Sequence, residues 1–313
     1  MKVILKILLL SIVLAGCSDS GFTPVDLTCE YLKDPTVVDI PNPRLSWINI
    51  APDNERNQRQ TAYQIRVATS RSGLSDPDLW NSEKVSSEQS FRVKYAGKAL
   101  TSGQDCWWQV RTWDKSDKPS EWSKPAYWGM GLLKASEWKA TWIGAPWQAE
   151  EALPIPPGGP NAILDTFPPP APMLRKSFEV SGKIKQAKAF VTGLGYFEFY
   201  VNGKKIGDEV LIPNQTNYGK RPGLEDQYIP VADNFREYKV MYLAYDITRE
   251  LQQGENVIGS ILGNGFYNPA KFWTSPYGSP RFFGQVEIEY TDGTEEIIVS
   301  DLSWKADKSP ILM

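Results

Sequence analysis

Histidine is missing from the chain altogether, which excludes His-based catalytic triads and every metal site that needs imidazole. Cysteine occurs only three times. Neither sign of charge dominates: 34 Lys and Arg against 37 Asp and Glu leave a net charge of −3, so nucleic acid is not expected as a partner. No long stretch follows the 3.6-residue period of a helix, and no helical barrel is therefore expected within these residues. Turn formers and aromatics are plentiful instead. The chain has 24 Gly, 24 Pro, 12 Trp, 14 Tyr and 12 Phe, and 41% of it is hydrophobic. Short aromatic and β-branched runs between Gly and Pro predict an all-β protein, and 313 residues are enough for two domains.

The first 17 residues read as an export signal. Lys2 and Lys6 form a basic n-region, and Ile7 to Leu14 is an apolar run too short to stay as a membrane span. The run ends in Leu14-Ala15-Gly16-Cys17, which resembles the lipobox of bacterial lipoproteins. That resemblance implies diacylation of Cys17 and attachment to a membrane through the lipid. Ser18 directly after it suits the outer membrane of a Gram-negative host. Residues 18–24 are expected to be a solvated tether. Export leaves Cys29 and Cys106 in an oxidising compartment, where two readings stand: a disulfide, or two buried thiols on different strands.

Residues 25–135 predict a first β-sandwich. Pro43-Arg44-Leu45-Ser46-Trp47 reads as an early core strand. Ala62 to Ala68 alternates with period two and turns Tyr63, Ile65 and Val67 inward. Leu79-Trp80-Asn81-Ser82 follows a turn. The last expected pair of strands is Cys106 to Asp114 and Pro119-Ser120-Glu121-Trp122-Ser123. An aromatic-rich strand before a Ser-x-Trp-Ser edge resembles the end of a fibronectin type III domain. Trp107, Trp113 and Trp122 are read as packing residues, with a sugar platform as the alternative.

Residues 136–172 form a junction, carrying Trp138 and Trp142, and then a Pro-rich loop of extended chain. Residues 173–313 predict a jelly-roll β-sandwich with strands near 174–180, 186–192, 196–201, 241–246, 256–262, 282–290 and 295–300. Asp292-Gly293 marks a hairpin, and Ile247 to Gln253 a short helix stopped by Gly254. Pro310-Ile311-Leu312-Met313 is an apolar run with no polar tail, so the jelly roll is expected to be incomplete at its C-terminus.

Two segments stand out in this second domain. Gly193 to Asp208 holds Tyr196, Glu198 and Tyr200 alternating with Phe197, Phe199 and Val201, then Asn202-Gly203, a pair suited to a type I′ turn. Leu262-Gly263-Asn264-Gly265-Phe266-Tyr267-Asn268-Pro269 places an Asn between glycines beside two aromatics. Open backbone, amides and aromatic faces suit the holding of a sugar. The competing reading makes the first a plain hairpin turn and the second a strand exit. Direct stacking on a sugar is a further reading for Phe266, Tyr267 and Trp273.

Taken in order, these pieces resemble the N-terminal region of bacterial α-L-rhamnosidases, a glycoside hydrolase family. The resemblance starts at Cys29-Glu30-Tyr31 and Asn42 to Trp47, and continues through Trp107 to Asp114, Trp142-Ile143-Gly144 and Leu174 to Phe178. It is most specific in the two segments above, with Ala244 to Thr248 and Gly254-Glu255-Asn256 between them. It implies a fibronectin-like domain, a jelly-roll domain and a further β domain, then an (α/α)₆ barrel with the catalytic carboxylates. In members whose jelly roll binds rhamnose, the turn Asn and the loop Asn contact the sugar beside a calcium ion. Those roles fall here on Asn202, Asn264 and nearby Pro269. Calcium-binding members carry an acid before the turn Asn. Val201 stands there instead, which removes a ligand, and no cofactor is expected. The segment Pro222 to Tyr238 reads as inserted.

Glycoside hydrolysis needs two carboxylates flanking the bond, and spacing alone selects none among the 37 acids. Asp246 and Glu198 read as structural or solvated, and no catalytic residue is assigned. The chain is therefore expected to be silent by itself and to act beside a catalytic domain. Three functions follow: accessory region of a surface-anchored rhamnosidase, stand-alone lipoprotein that captures rhamnose-containing glycan, or structural fragment.

Overall fold

The computed structural model describes residues 21–53, 56–148, 170–216, 218, 240–268 and 277–312. Cys17 and the leader, most of the Pro-rich loop, the inserted segment 222–238, Pro269 and Trp273 lie outside the described residues. The chain divides into two compact units, Met1–Leu133 and Lys134–Met313.

In the first unit, strands β1 (Thr23–Cys29), β2 (Arg44–Ile50) and β6 (Val93–Lys94) form one antiparallel sheet in the order β1-β2-β6. The second sheet holds β3 (Ala62–Ala68), β4 (Trp80–Asn81), β7 (Asp105–Trp113) and β8 (Ala126–Gly129) in the order β4-β3-β7-β8, and β5 (Val85–Ser86) also pairs with β3. Leu45 and Trp47 from one sheet meet Ile65, Val67, Trp108, Val110 and Trp128 from the other in a single core. Cys29 and Cys106 are separate buried thiols there. Burial, then the neighbouring Glu30 charge and Cys106, push the Cys29 thiol well above its ordinary range.

Three expectations change in this unit. Strand β1 begins at Thr23 and Phe22 is buried, so part of the segment read as tether is packed into this unit. Residues 119–123 are not a ladder strand; β8 begins at Ala126. They run beside β7 with backbone bonds in one direction, Ser120 N–H to Thr112 O and Ser123 N–H to Val110 O, each at 2.8 Å, and serine hydroxyls in the other. Ser123 Oγ accepts from the Val110 N–H at 3.1 Å and Ser120 Oγ from the Thr112 N–H at 3.0 Å. Trp122 lies half-buried outside the central core cluster, beneath cations, whereas Trp113 is buried as a packing residue and also meets cations. The Arg66 and Arg111 guanidiniums sit 4.5 and 4.8 Å from the Trp122 ring, and Arg111 and Lys84 sit 5.1 and 4.9 Å from Trp113.

The second unit is an antiparallel sandwich. Its strands are β9 (Pro170–Val180), β10 (Ile184–Leu194), β11 (Tyr196–Val201), β12 (Lys204–Ile206), β13 (Leu243–Asp246), β14 (Gly254–Gly263), β15 (Arg281–Tyr290), β16 (Glu295–Val299) and β17 (Lys305–Leu312). One sheet runs β12-β11-β14-β9-β17 and the other β13-β10-β15-β16. Period-two alternation sends Phe197, Phe199, Val201, Ile258 and Leu262 inward from the first, against Ala189, Val191, Phe282, Val286 and Ile288 of the second.

The junction belongs to this unit. Ile143 bridges to Phe282, the Lys139 N–H donates to Gln285 Oε1 at 2.7 Å, and Trp138 packs on Phe190, Tyr242 and Phe283. Strand β9 starts four residues early, at Pro170. Beyond Met173 it pairs only with β17, so the missing N–H of Pro170 and Pro172 is tolerated where a central strand would reject it. Residues 247–250 form a hydrogen-bonded turn rather than a helix, closed by Glu250 N–H to Ile247 O at 3.1 Å. The Asn256 side chain stops it by donating to Gln252 O and Gly254 O.

Candidate functional site

The two segments singled out in the sequence meet at one end only. Gly195 turns the chain from β10 into β11 with φ +97°, and a Cβ there would lie 2.3 Å from Gly263 O. Gly265 lies against the Tyr196 ring. These glycines serve close backbone approach. Asn202 and Asn264 lie at opposite ends of the β11–β14 pair, whose register runs from Val201↔Ile258 to Tyr196↔Gly263. Six residues of strand separate them, about 20 Å, so one monosaccharide does not touch both.

Asn202 and Gly203 have φ of 49° and 80°, both positive as a type I′ turn requires. The Asn202 amide is committed inside the protein. It donates to Glu250 O and Asn256 Oδ1, each at 2.9 Å, and accepts from the Val257 N–H at 2.8 Å. Asn264 Oδ1 accepts from Asn268 Nδ2 at 3.0 Å. Tyr267 stacks on Tyr277 at 5.6 Å with Tyr218 edge-on at 5.3 Å, and burial raises its phenol pKa. Phe266 is exposed. Val201 points into the core, so nothing at that position reaches a cation. Among the described residues no three acidic or cysteine side chains gather as a metal site.

A concavity lies on the outer face of the β12-β11-β14-β9-β17 sheet. Its volume is about 620 Å³, within the ~300–1,000 Å³ of small-ligand sites. Register builds it in two rows. Tyr200, Gly259, Arg175 and Lys305 are successive cross-strand partners, with Lys205 opposite Tyr200 on the hairpin. Glu198, Ile261, Met173 and Asp307 form the next row. Gly259 has no side chain between Tyr200 and Arg175, which leaves a trough where neighbouring strands carry bulk.

One wall is held in place by charge. Glu198 accepts from Lys205 Nζ at 2.7 Å and from the Tyr200 hydroxyl at 2.6 Å. The lysine hydrogen bond, then the tyrosine one, hold the Glu198 carboxyl below its usual range. The same bond leads the effects that push the Tyr200 phenol up to about 12. Glu198 is thus an ionised brace and poorly suited to donate a proton. Asp246 Oδ1 accepts from the Thr248 N–H at 2.9 Å and closes a turn. Arg175, Gly259, Lys305 and Asp307 escaped the reading of motifs. Gly259, in the interior of an alternating strand, was the available signal.

The resulting trough combines an aromatic wall, an aliphatic floor of Ile261 and Met173 and charged groups at the rim, a set suited to a ligand with both C–H faces and hydroxyls.

Comparison with known proteins agrees in both units. Residues 24–134 match a family profile described as the Rha78A-like N-terminal immunoglobulin domain. Residues 182–226 and 224–313 match one described as the α-L-rhamnosidase N-terminal domain. An α-L-rhamnosidase of Formosa agariphila is 32% identical over 331 residues, covering 99% of this chain and 33% of that protein. One of Alteromonas sp. (strain LOR) is 35% identical over 273 residues, covering 86% and 27%. The solved α-L-rhamnosidase of Dictyoglumus thermophilum superposes with a TM-score of 0.76 at 37% identity, covering 94% of this chain and 30% of that one. The chain therefore spans about a third of the length of such relatives.

Proposed function

This chain is composed of the two N-terminal domains of the α-L-rhamnosidase family, an immunoglobulin-like domain and an α-L-rhamnosidase N-terminal domain, and from there we propose that it is the accessory, glycan-holding region of an exported rhamnosidase. Cys17 anchors it through lipid at the outer membrane, and hydrolysis belongs to carboxylates of a barrel domain in the parent enzyme. The observation that carries the reading is the trough of Tyr200, Gly259 and Arg175 in a domain of this family. L-Rhamnose is a 6-deoxy sugar. Its methyl group and C–H face fit Ile261, Met173 and the Tyr200 ring, while its hydroxyls meet Arg175, Lys305 and Asp307.

Calorimetric titration of the chain with a rhamnose disaccharide tests this. Binding is expected, with Tyr200→Ala reducing affinity about tenfold or more and Asn264→Ala leaving it within about twofold. Absence of heat sinks the proposal. Loss on Asn264→Ala alone moves recognition to the far end of β11.

A further inference from the structure

We infer that the trough takes an acidic rhamnose-containing glycan, seating the carboxylate of a uronic acid residue between Arg175 and Lys305. The inference rests on the reading that the trough binds a rhamnoside.

Lys305 and Arg175 are direct cross-strand partners on adjacent antiparallel strands, and both side chains line the same concavity. Like charges in that relation are unfavourable, and a sheet gains by placing an anion between them. Among the described residues neither cation has a hydrogen-bond or ion-pair partner. Asp307 is the carboxylate nearest in register, opposite Met173, and its Oδ1 accepts from the Lys308 backbone N–H at 2.7 Å. Lys205, the remaining cation of the row, is taken by Glu198 at 2.7 Å. The positive charge available to a ligand is therefore the Arg175–Lys305 pair, with the Asp307 carboxylate one row away.

The rest of the face sets direction. Glu179 and Glu255 oppose one another at the far end of the β9–β14 pair. That acidic end lies four residues along β9 from Arg175, about 13 Å. An acidic glycan is repelled there and drawn to the Arg175 end, with its neutral 6-deoxy ring over Ile261 and Met173. A carboxylate suits the pair because guanidinium presents two parallel N–H donors and the ammonium adds a point charge.

The test compares a rhamnosyl–glucuronic acid disaccharide with its carboxyl-reduced rhamnosyl–glucose counterpart and with the glucose 6-sulfate analogue, by calorimetry on the full chain. The uronate is expected to bind about tenfold tighter than the neutral sugar at low salt, with the advantage falling as salt is raised. Arg175→Gln and Lys305→Gln, both at exposed positions, are expected to abolish the advantage, so that uronate and neutral sugar bind alike, while leaving thermal unfolding in place. Lys185→Gln, on the other sheet, is the control that keeps it. Equal binding of uronate and neutral sugar overturns the carboxylate site and leaves the rhamnoside reading standing. Preference for the sulfate alone also overturns it. If no sugar binds, both readings fall.

Discussion

Asn202 illustrates how one residue type serves two readings. Its amide has donors and an acceptor that a sugar could use, yet three hydrogen bonds to Glu250, Asn256 and Val257 occupy them. Removing them strands the Val257 N–H and loosens the 250–257 turn. Asn202→Ala is expected to cost about 2–3 kcal/mol of second-unit stability, from the loss of several hydrogen bonds and an unpaired donor. Urea unfolding checks this. A change below about 0.5 kcal/mol, with glycan affinity lost instead, returns Asn202 to the role of a ligand contact. The positive φ of the Asn-Gly pair was legible from its residue types alone. The partners of its side chain were not, since they lie 48 to 55 positions downstream.

At the scale of the element, alternation carried most of the fold. Strands β10, β11, β14 and β15 lie within two residues of where period-two patterning puts them, because burial of one face selects the residue types. Segments in which side chains replace part of the backbone bonding depart from the pattern. Residues 119–123 look like a strand, but only their N–H groups bond β7 through the backbone, while the β7 N–H groups go to the Ser120 and Ser123 hydroxyls. Residues 247–250 look like a helix start, but Asn256 captures the next carbonyls. Such competition between side chain and backbone is set by neighbours in space. Ser123→Ala is expected to destabilise the first unit by about 1–3 kcal/mol, since the Val110 N–H is then buried without an acceptor. Thermal unfolding of a chain carrying this change measures it, and a neutral result means that the Ser123 hydroxyl contributes nothing to holding β7.

For the whole molecule, each unit has its own core, one centred on Trp108 and Trp128 and the other on Phe199 and Phe282. Large-to-small changes in a core cost roughly 3–5 kcal/mol for Phe or Trp. Phe282→Ala is accordingly expected to lower the transition of the second unit by that amount and leave the first unchanged, because separate cores unfold as separate domains. Tryptophan fluorescence and calorimetry distinguish this from a joint shift of both transitions, which contradicts it.

Composition and periodicity by themselves determined the β class, the two domains and the hairpin at Asn202-Gly203, because each is written in nearby residues, and the order of motifs along the chain carried the resemblance to a known family. Only the tertiary structure built the trough. Arg175, Gly259 and Lys305 become a row through pairings across 84 and 130 positions of chain. The same register parts Asn202 from Asn264, which share a strand pair but not an end. Strand partners are chosen by burial of whole faces, a sum over the sandwich that no local motif contains.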